Sequence, residues 1–157
     1  MVYKDSEIVH LDLPYIPGFL AFREVPHLLK LIDKLKATKP QFLPQVLLVD
    51  GNGILHQNGF GLASHLGVLA DIPTIGCGKT VFFVDGISSV NTLILPHLIM
   101  NQDKVKRLCE ENLHKGGDFV KLEGDSKRVW GAVIILLLKR LNLYNRPCEA
   151  QMVLKIL

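Results

Sequence analysis

The stretch "PQVLLVDGNGILHQNGFGLASHLG", residues 44–67, decides how the rest of the chain is read. Val46 to Val49 are continuously apolar, and the run ends on the charge of Asp50, with Gly51 and Gly53 directly behind it. Unbroken apolarity over so short a run predicts a strand covered on both faces, as in a parallel sheet. Phe60 to Leu69 fits a helix, Pro73 closes the connection, and "TIGCG" (residues 74–78) fits a second short central strand. Strand, helix and strand within roughly 30 residues make a βαβ crossover unit. Ligands in open α/β sheets sit outside the carboxyl ends of the parallel strands. Asp50 stands at such an end, so its charge can face a ligand while the residues before it stay buried.

Upstream, Leu28, Leu31, Ile32 and Leu35 repeat at helical spacing, with Lys30, Asp33, Lys34 and Lys36 on the other side. Pro26 fits the first turn of that helix, which places Glu24 at its very start. "KPQFLP" (39–44) stops it. "LPYIPG" (13–18) holds two prolines and a glycine and reads as a rigid loop. Val2 to Leu13 interleaves β-branched and aromatic residues with charges and reads as one strand, whose neighbour must come from elsewhere. Downstream, "DKVKRLCEEN" (103–112) reads as an exposed helix or a mobile insertion, and residues 119–138 as two strands joined by a polar turn. Residues 81–100 resist assignment. With no repeats and no low-complexity segment, residues 1–157 read as a single α/β domain.

A hydrophobic content of 48% with 21% charged residues fits a soluble globular chain and excludes wholesale disorder. The net charge is only +3, and its excess lies late in the chain: residues 101–157 hold 11 Lys/Arg against 7 Asp/Glu, whereas residues 1–100 hold 7 against 8. Such a basic edge suits a nucleic-acid enzyme, but so small an imbalance is more often an ordinary solvated surface. Cys77, Cys109 and Cys148 are odd in number and contain no C-x-x-C pair, which argues against a disulfide framework or a zinc site and for a reducing, intracellular location. No secretory h-region is visible at the N-terminus. The longest apolar run, "VIILLL" from Val133 to Leu138, falls far short of the roughly 20 residues that span a bilayer. The expectation is a monomer inside the cell and off the membrane.

On residues alone, Asp50 has two readings. A carboxylate there is a hard-oxygen ligand for Mg²⁺, which takes one or two protein carboxylates and fills its shell with water and phosphate; equally, D-G is a common turn dipeptide. "GCGKT" ends like a phosphate-binding loop, but the position five residues before Gly78 is Pro73, and "VFFVDG" after it is strand-like where that loop must open a helix. Gly51 and Gly53 lack the third glycine of a dinucleotide fingerprint.

Read together, "LPYIPGFLAFRE" (13–24), the stretch around Asp50, "GFGLASHLGVL" (59–69) and "PTIGCGK" (73–79) resemble the endonuclease V family, metal-dependent nucleases that act at inosine or deoxyinosine. The resemblance is dense from about Tyr3 to Gly86 and weaker over residues 115–132. It implies a ribonuclease H-like α/β fold, a mixed sheet flanked by helices. It further implies that Asp50 and Glu24 are paired metal-binding catalytic carboxylates for Mg²⁺, with Mn²⁺ as the alternative, and that Lys79 lies near the scissile phosphate. Pro14, Tyr15, Ile16 and Pro17 resemble the family's wedge, which replaces the stacking lost when a base leaves the helix. Gly18, Leu20, Gly51 and Gly76 match positions lining the hypoxanthine pocket, though each glycine fits a turn or close packing as well. His56 matches a position able to contact the phosphate backbone, while His65, inside an apolar helix, reads as a hydrogen-bonded core residue. The implied substrate is single-stranded RNA containing inosine, or DNA containing deoxyinosine, cut at the second phosphodiester bond on the 3′ side to leave a 5′-phosphate. The implied compartments are the cytoplasm and the nucleus or nucleolus.

Two departures qualify the resemblance. Asp5 and Asp12 do not sit in the D-x-S-like setting of the family's first metal ligand, and no histidine follows "VWGAV" where the family carries a serine-proline-glycine-histidine-like motif. The fold is therefore expected to be incomplete at both ends, with residues 134–157 a divergent tail from alternative splicing or an incomplete gene prediction. Such a chain is expected to hold metal weakly and cleave poorly or not at all; the alternative function is an isoform that only binds inosine-containing nucleic acid.

Overall fold

The structure, a computed structural model, describes residues 1–78, 84–87, 102–134 and 151–156. These fall into two compact units. The first contains strand β1 (Tyr3–Ile8), helix α1 (Leu20–Thr38), a single 3₁₀ turn (Pro40–Phe42), strand β2 (Leu47–Asp50), helix α2 (Leu62–Ala70), strand β3 (Thr74–Cys77) and, from the far end of the chain, β6 (Gln151–Ile156). The second contains Ile54–Gln57, the bridge pair Val84 and Ile87, helix α3 (Gln102–Asn112) and strands β4 (Phe119–Glu123) and β5 (Val129–Ile134).

The βαβ unit is present. β2 and β3 run parallel in the register Leu47↔Thr74, Leu48↔Ile75, Val49↔Gly76 and Asp50↔Cys77, with α2 as the crossover. Leu47 and Val49 are buried, but Leu48 and Ile75, paired across the strands, are 51% and 56% exposed. The expectation of cover on both faces is not met among the described residues: α1 and α2 pack on the face of Leu47 and Val49, while Leu48 and Ile75 on the other face remain half-exposed. Side chains alternate along a strand, so a continuous apolar run does not itself reveal how many faces are covered.

Helix α1 starts at Leu20, four residues before Glu24, where its proline places the start. The buried stripe of Ala21, Val25, Ile32 and Leu35, with half-buried Leu28 in phase, runs straight through Pro26, whose ring sits on the exposed side. An interior proline costs a helix about 3 kcal/mol. Full burial of a valine or isoleucine contributes roughly 1.5–3 kcal/mol each, so Val25 and Ile32 together outweigh it. Glu24 is consequently the fifth residue of α1, in its second turn, rather than at the helix start. Lys36 donates to the Ala70 carbonyl at 3.1 Å, tying the end of α1 to the end of α2.

The expected strand over Val2–Leu13 is limited to Tyr3–Ile8, where its ladder with β6 ends at Ile8↔Gln151. That antiparallel partner comes from the segment read as a divergent tail. β1 is also fastened to α1: Lys34 and Asp5 form an ion pair at 2.8 Å, and the Lys39 ammonium lies 5.5 Å from the centre of the Tyr3 ring.

In the second unit, β4 and β5 form the expected hairpin, with an irregular register after Leu122↔Gly131. Its turn is clasped by Asp85, whose carboxylate accepts from the Ser126 backbone N–H (3.1 Å), Ser126 Oγ (2.5 Å) and Trp130 Nε1 (2.7 Å). Residues 103–112 belong to a regular helix, α3.

Candidate active site at the end of the parallel strands

Asp50 is the last residue of β2 and is exposed, with Cys77 beside it at the end of β3. Directly after it, the Gly51 N–H donates to the Cys77 carbonyl at 3.1 Å, extending the pairing by one bond past the strand end. The chain then turns back into α2: the Gly61 N–H donates to the Gly53 carbonyl (2.8 Å) and the Ala63 N–H to the Asn52 carbonyl (3.0 Å). This turn packs backbone to backbone on β3. A Cβ at Gly76 would stand 2.5 Å from both the Gly51 carbonyl oxygen and the Gly53 nitrogen. Close packing by itself therefore requires a residue without a side chain at position 76. Gly51 has similar limits, since a Cβ there would come within 3.0 Å of the Leu62 side chain.

Glu24 reaches the same region from α1. Its carboxyl is half-buried and is pushed above the ordinary range, first by burial and further by the negative charge of Asp50, with the neighbouring Arg23 guanidinium opposing. The Asp50 charge likewise adds to burial in raising the Cys77 thiol. The fold thus brings Glu24 and Asp50 within electrostatic reach of each other, although they are 26 residues apart in sequence. The Asp50 charge makes ionisation of Glu24 costlier, and a cation shared by the two carboxylates would relieve that cost. Among the described residues no cluster of three or more His, Cys, Asp and Glu side chains is placed to hold a metal. A pair suits Mg²⁺, which commonly takes one or two protein carboxylates. Asp5 is no candidate donor, because Lys34 binds it and holds its carboxyl below the usual range.

Residues Pro14–Pro17 lie in the loop before α1, outside any regular element. Tyr15 and Ile16 are 63% and 50% exposed, so Tyr15 is not a packing anchor. The Phe19 N–H closes the turn onto the Ile16 carbonyl at 3.0 Å, and Gly18 sits at φ +84°, where a side chain would be strained. Leu20, the first residue of α1, is half-buried against the core. His56 is buried (5% exposed) and belongs to the second unit, whereas every other described site candidate belongs to the first. Lys79 lies outside the described residues. His65 is partly buried rather than fully in the core, with its ring edge-on to Phe22 at 5.5 Å and tilted toward Phe60 at 5.7 Å. Sequence reasoning passed over Arg23, whose Nε is enclosed with no hydrogen-bond partner among the described residues, and Cys77. Their signals were adjacency to Glu24 and strand register with Asp50.

The Endonuclease V family model matches residues 1–144. The chain belongs to the endonuclease V family. It is 45% identical over 134 residues to mouse endonuclease V, covering 85% of this chain and 36% of that protein, and 46% identical over 134 residues to the human one, covering 43% of it. A crystal structure of human endonuclease V superposes with a TM-score of 0.68 at 46% identity, over 85% of this chain and 50% of that one. Endonuclease V of Ciona intestinalis, solved in complex with a 24mer DNA containing an inosine followed by a ribo-adenosine, gives a TM-score of 0.63 at 32% identity, over 81% and 49%. The α/β, ribonuclease H-like fold class expected from the sequence therefore holds. The chain spans less than half the length of the mouse and human endonuclease V sequences it matches.

Proposed function

We propose that this chain acts on nucleic acid as an inosine-directed, metal-dependent endonuclease, hydrolysing the second phosphodiester bond 3′ to inosine in RNA, or to deoxyinosine in DNA, and leaving a 5′-phosphate. The observation that carries this reading is that Glu24 lies within electrostatic reach of Asp50, which stands at the carboxyl end of β2, the position where α/β sheets place ligands. Glu24 and Asp50 would hold a divalent ion, Mg²⁺ or Mn²⁺, which when bound would lower the cost of charge on the scissile phosphate and on an attacking water. Exposed Tyr15 and Ile16, stiffened by Pro14 and Pro17, would fill the gap left by an extruded base. Gly18, Leu20, Gly51 and Gly76 would border the base, and Lys79 would supply positive charge near the phosphate. Free thiols at Cys77 and Cys109 accord with an intracellular setting, cytoplasmic or nuclear.

One observation favours a second reading, that the chain binds inosine-containing strands without cutting them: its described donor set stops at two carboxylates. A single experiment separates the two. Labelled single-stranded RNA containing one inosine, or guanosine in its place, is incubated with the protein and Mn²⁺. Cleavage only of the inosine strand, reduced at least ~100-fold in Asp50→Ala, establishes the endonuclease. Inosine-selective binding without cleavage establishes the second reading. Equal treatment of both strands sinks both.

A further inference from the structure

Asn52, two residues past Asp50, is held by its main chain from three directions. Its carbonyl accepts the Ala63 N–H at 3.0 Å. Gly61 lies so close to that carbonyl that a Cβ there would overlap it, and a Cβ at Gly76 would stand 2.9 Å from the Asn52 carbonyl carbon. A backbone boxed in this way gives its side chain a fixed origin. The carboxamide lies over Gly78, with Oδ1 in the space a Gly78 side chain would take and Nδ2 turned further away, 3.6 Å from the same point. Asn52 is only half-buried, and its carboxamide makes no hydrogen bond among the described residues. Among the described residues, two amide donors thus stand unengaged on a closely packed loop that starts from the proposed catalytic carboxylate.

We propose that Asn52 is a nucleotide-contacting residue, its Nδ2 donating to an acceptor oxygen of the bound strand. The inference rests on the endonuclease reading for the placement of substrate at the end of β2. Two oxygens of a nucleotide offer the same chemistry. A phosphate oxygen would give a contact that positions any sequence, whereas the 6-oxo group of hypoxanthine would give one that rejects adenosine, whose 6-amino group is itself a donor. Guanine shares the 6-oxo group, so Asn52 would not contribute to its exclusion.

The test is binding in EDTA, where no cleavage interferes, of labelled single strands carrying inosine, guanosine or adenosine at one position. Asn52→Ala removes the donor; Asn52→Asp keeps an oxygen over Gly78 and replaces the donor with an acceptor of nearly the same size. The expected result is roughly 5- to 10-fold weaker binding by Asn52→Ala and a larger loss for Asn52→Asp, with thermal midpoints near the wild-type value. A loss shared by all three strands identifies the phosphate, and one confined to inosine and guanosine identifies the 6-oxo group. Unchanged affinity in both variants overturns the proposal, and if Asn52→Ala does not fold, the near-isosteric Asp variant decides alone. Wild-type protein that binds all three strands equally defeats the inosine reading without touching the phosphate contact, while wild-type protein that binds none defeats both.

Discussion

Glu24 carries a conflict that stability and function resolve in opposite directions. Burial and the Asp50 charge raise its carboxyl above the ordinary range. A raised carboxyl favours folding while it is protonated, at pH below its unfolded value, and that advantage disappears as pH rises through the raised folded value. At neutral pH the ionised side chain is therefore a local cost. Glu24→Gln should melt ~1–3 °C above the wild type at pH 7, with the gain vanishing near pH 4, and should lose cleavage; differential scanning fluorimetry at the two pH values reads the first part. Added Mn²⁺ should raise the wild-type midpoint more than that of Glu24→Gln, because ligand linkage stabilises only a fold that binds the ion. An equal rise in both proteins would remove Glu24 from the metal site. The sequence supplied the identities of these acids through motif order, but their electrostatic coupling depends on how α1 lies against β2, which no local pattern encodes.

Among the elements, α1 and the β2–α2–β3 unit show which rules transferred and which were overruled. The crossover was legible because apolar runs, Pro73 and the glycines each pointed the same way. The start of α1 was misread because Pro26 is a strong local signal, and burial of Val25 and Ile32 prevailed over it. Replacing that proline should then restore a backbone donor on an exposed face: Pro26→Ala is expected to stabilise the protein by ~1–3 kcal/mol, measured by urea unfolding. Gly76→Ala should do the reverse, costing ~1–3 kcal/mol, because its methyl group meets the backbone of Gly51–Gly53 rather than a side chain that can swing aside. A neutral Gly76→Ala would show that the turn after Asp50 is looser than its packing indicates. β6 was not legible at all, since Gln151–Ile156 has no distinguishing pattern until β1 presents an edge to pair with.

At the scale of the whole molecule, the two compact units carry different reporters. Trp130, the only tryptophan, belongs to the second unit and donates to Asp85. The Ser126 and Trp130 hydrogen bonds hold the Asp85 carboxyl below the usual range. A depressed carboxyl contributes stability above its ordinary value and loses it as pH falls through the lowered one. Trp130 emission should therefore stay constant down to about pH 4 and change below it, whereas Asp85→Asn should show no such acid transition; identical titrations would rule out the clasp as its origin. Neither the clasp nor the pairing of Asp85 with Ser126, 41 positions away, is visible in composition or periodicity. The half-exposed side chains on the second face of β2 and β3 have a practical corollary. Leu48 and Ile75 form a small greasy plaque, and concentrated solutions should become turbid or show drifting light-scattering mass. Threonine at both positions is β-branched and strand-compatible and makes that plaque wettable, which should make the double variant the better-behaved material for spectroscopy.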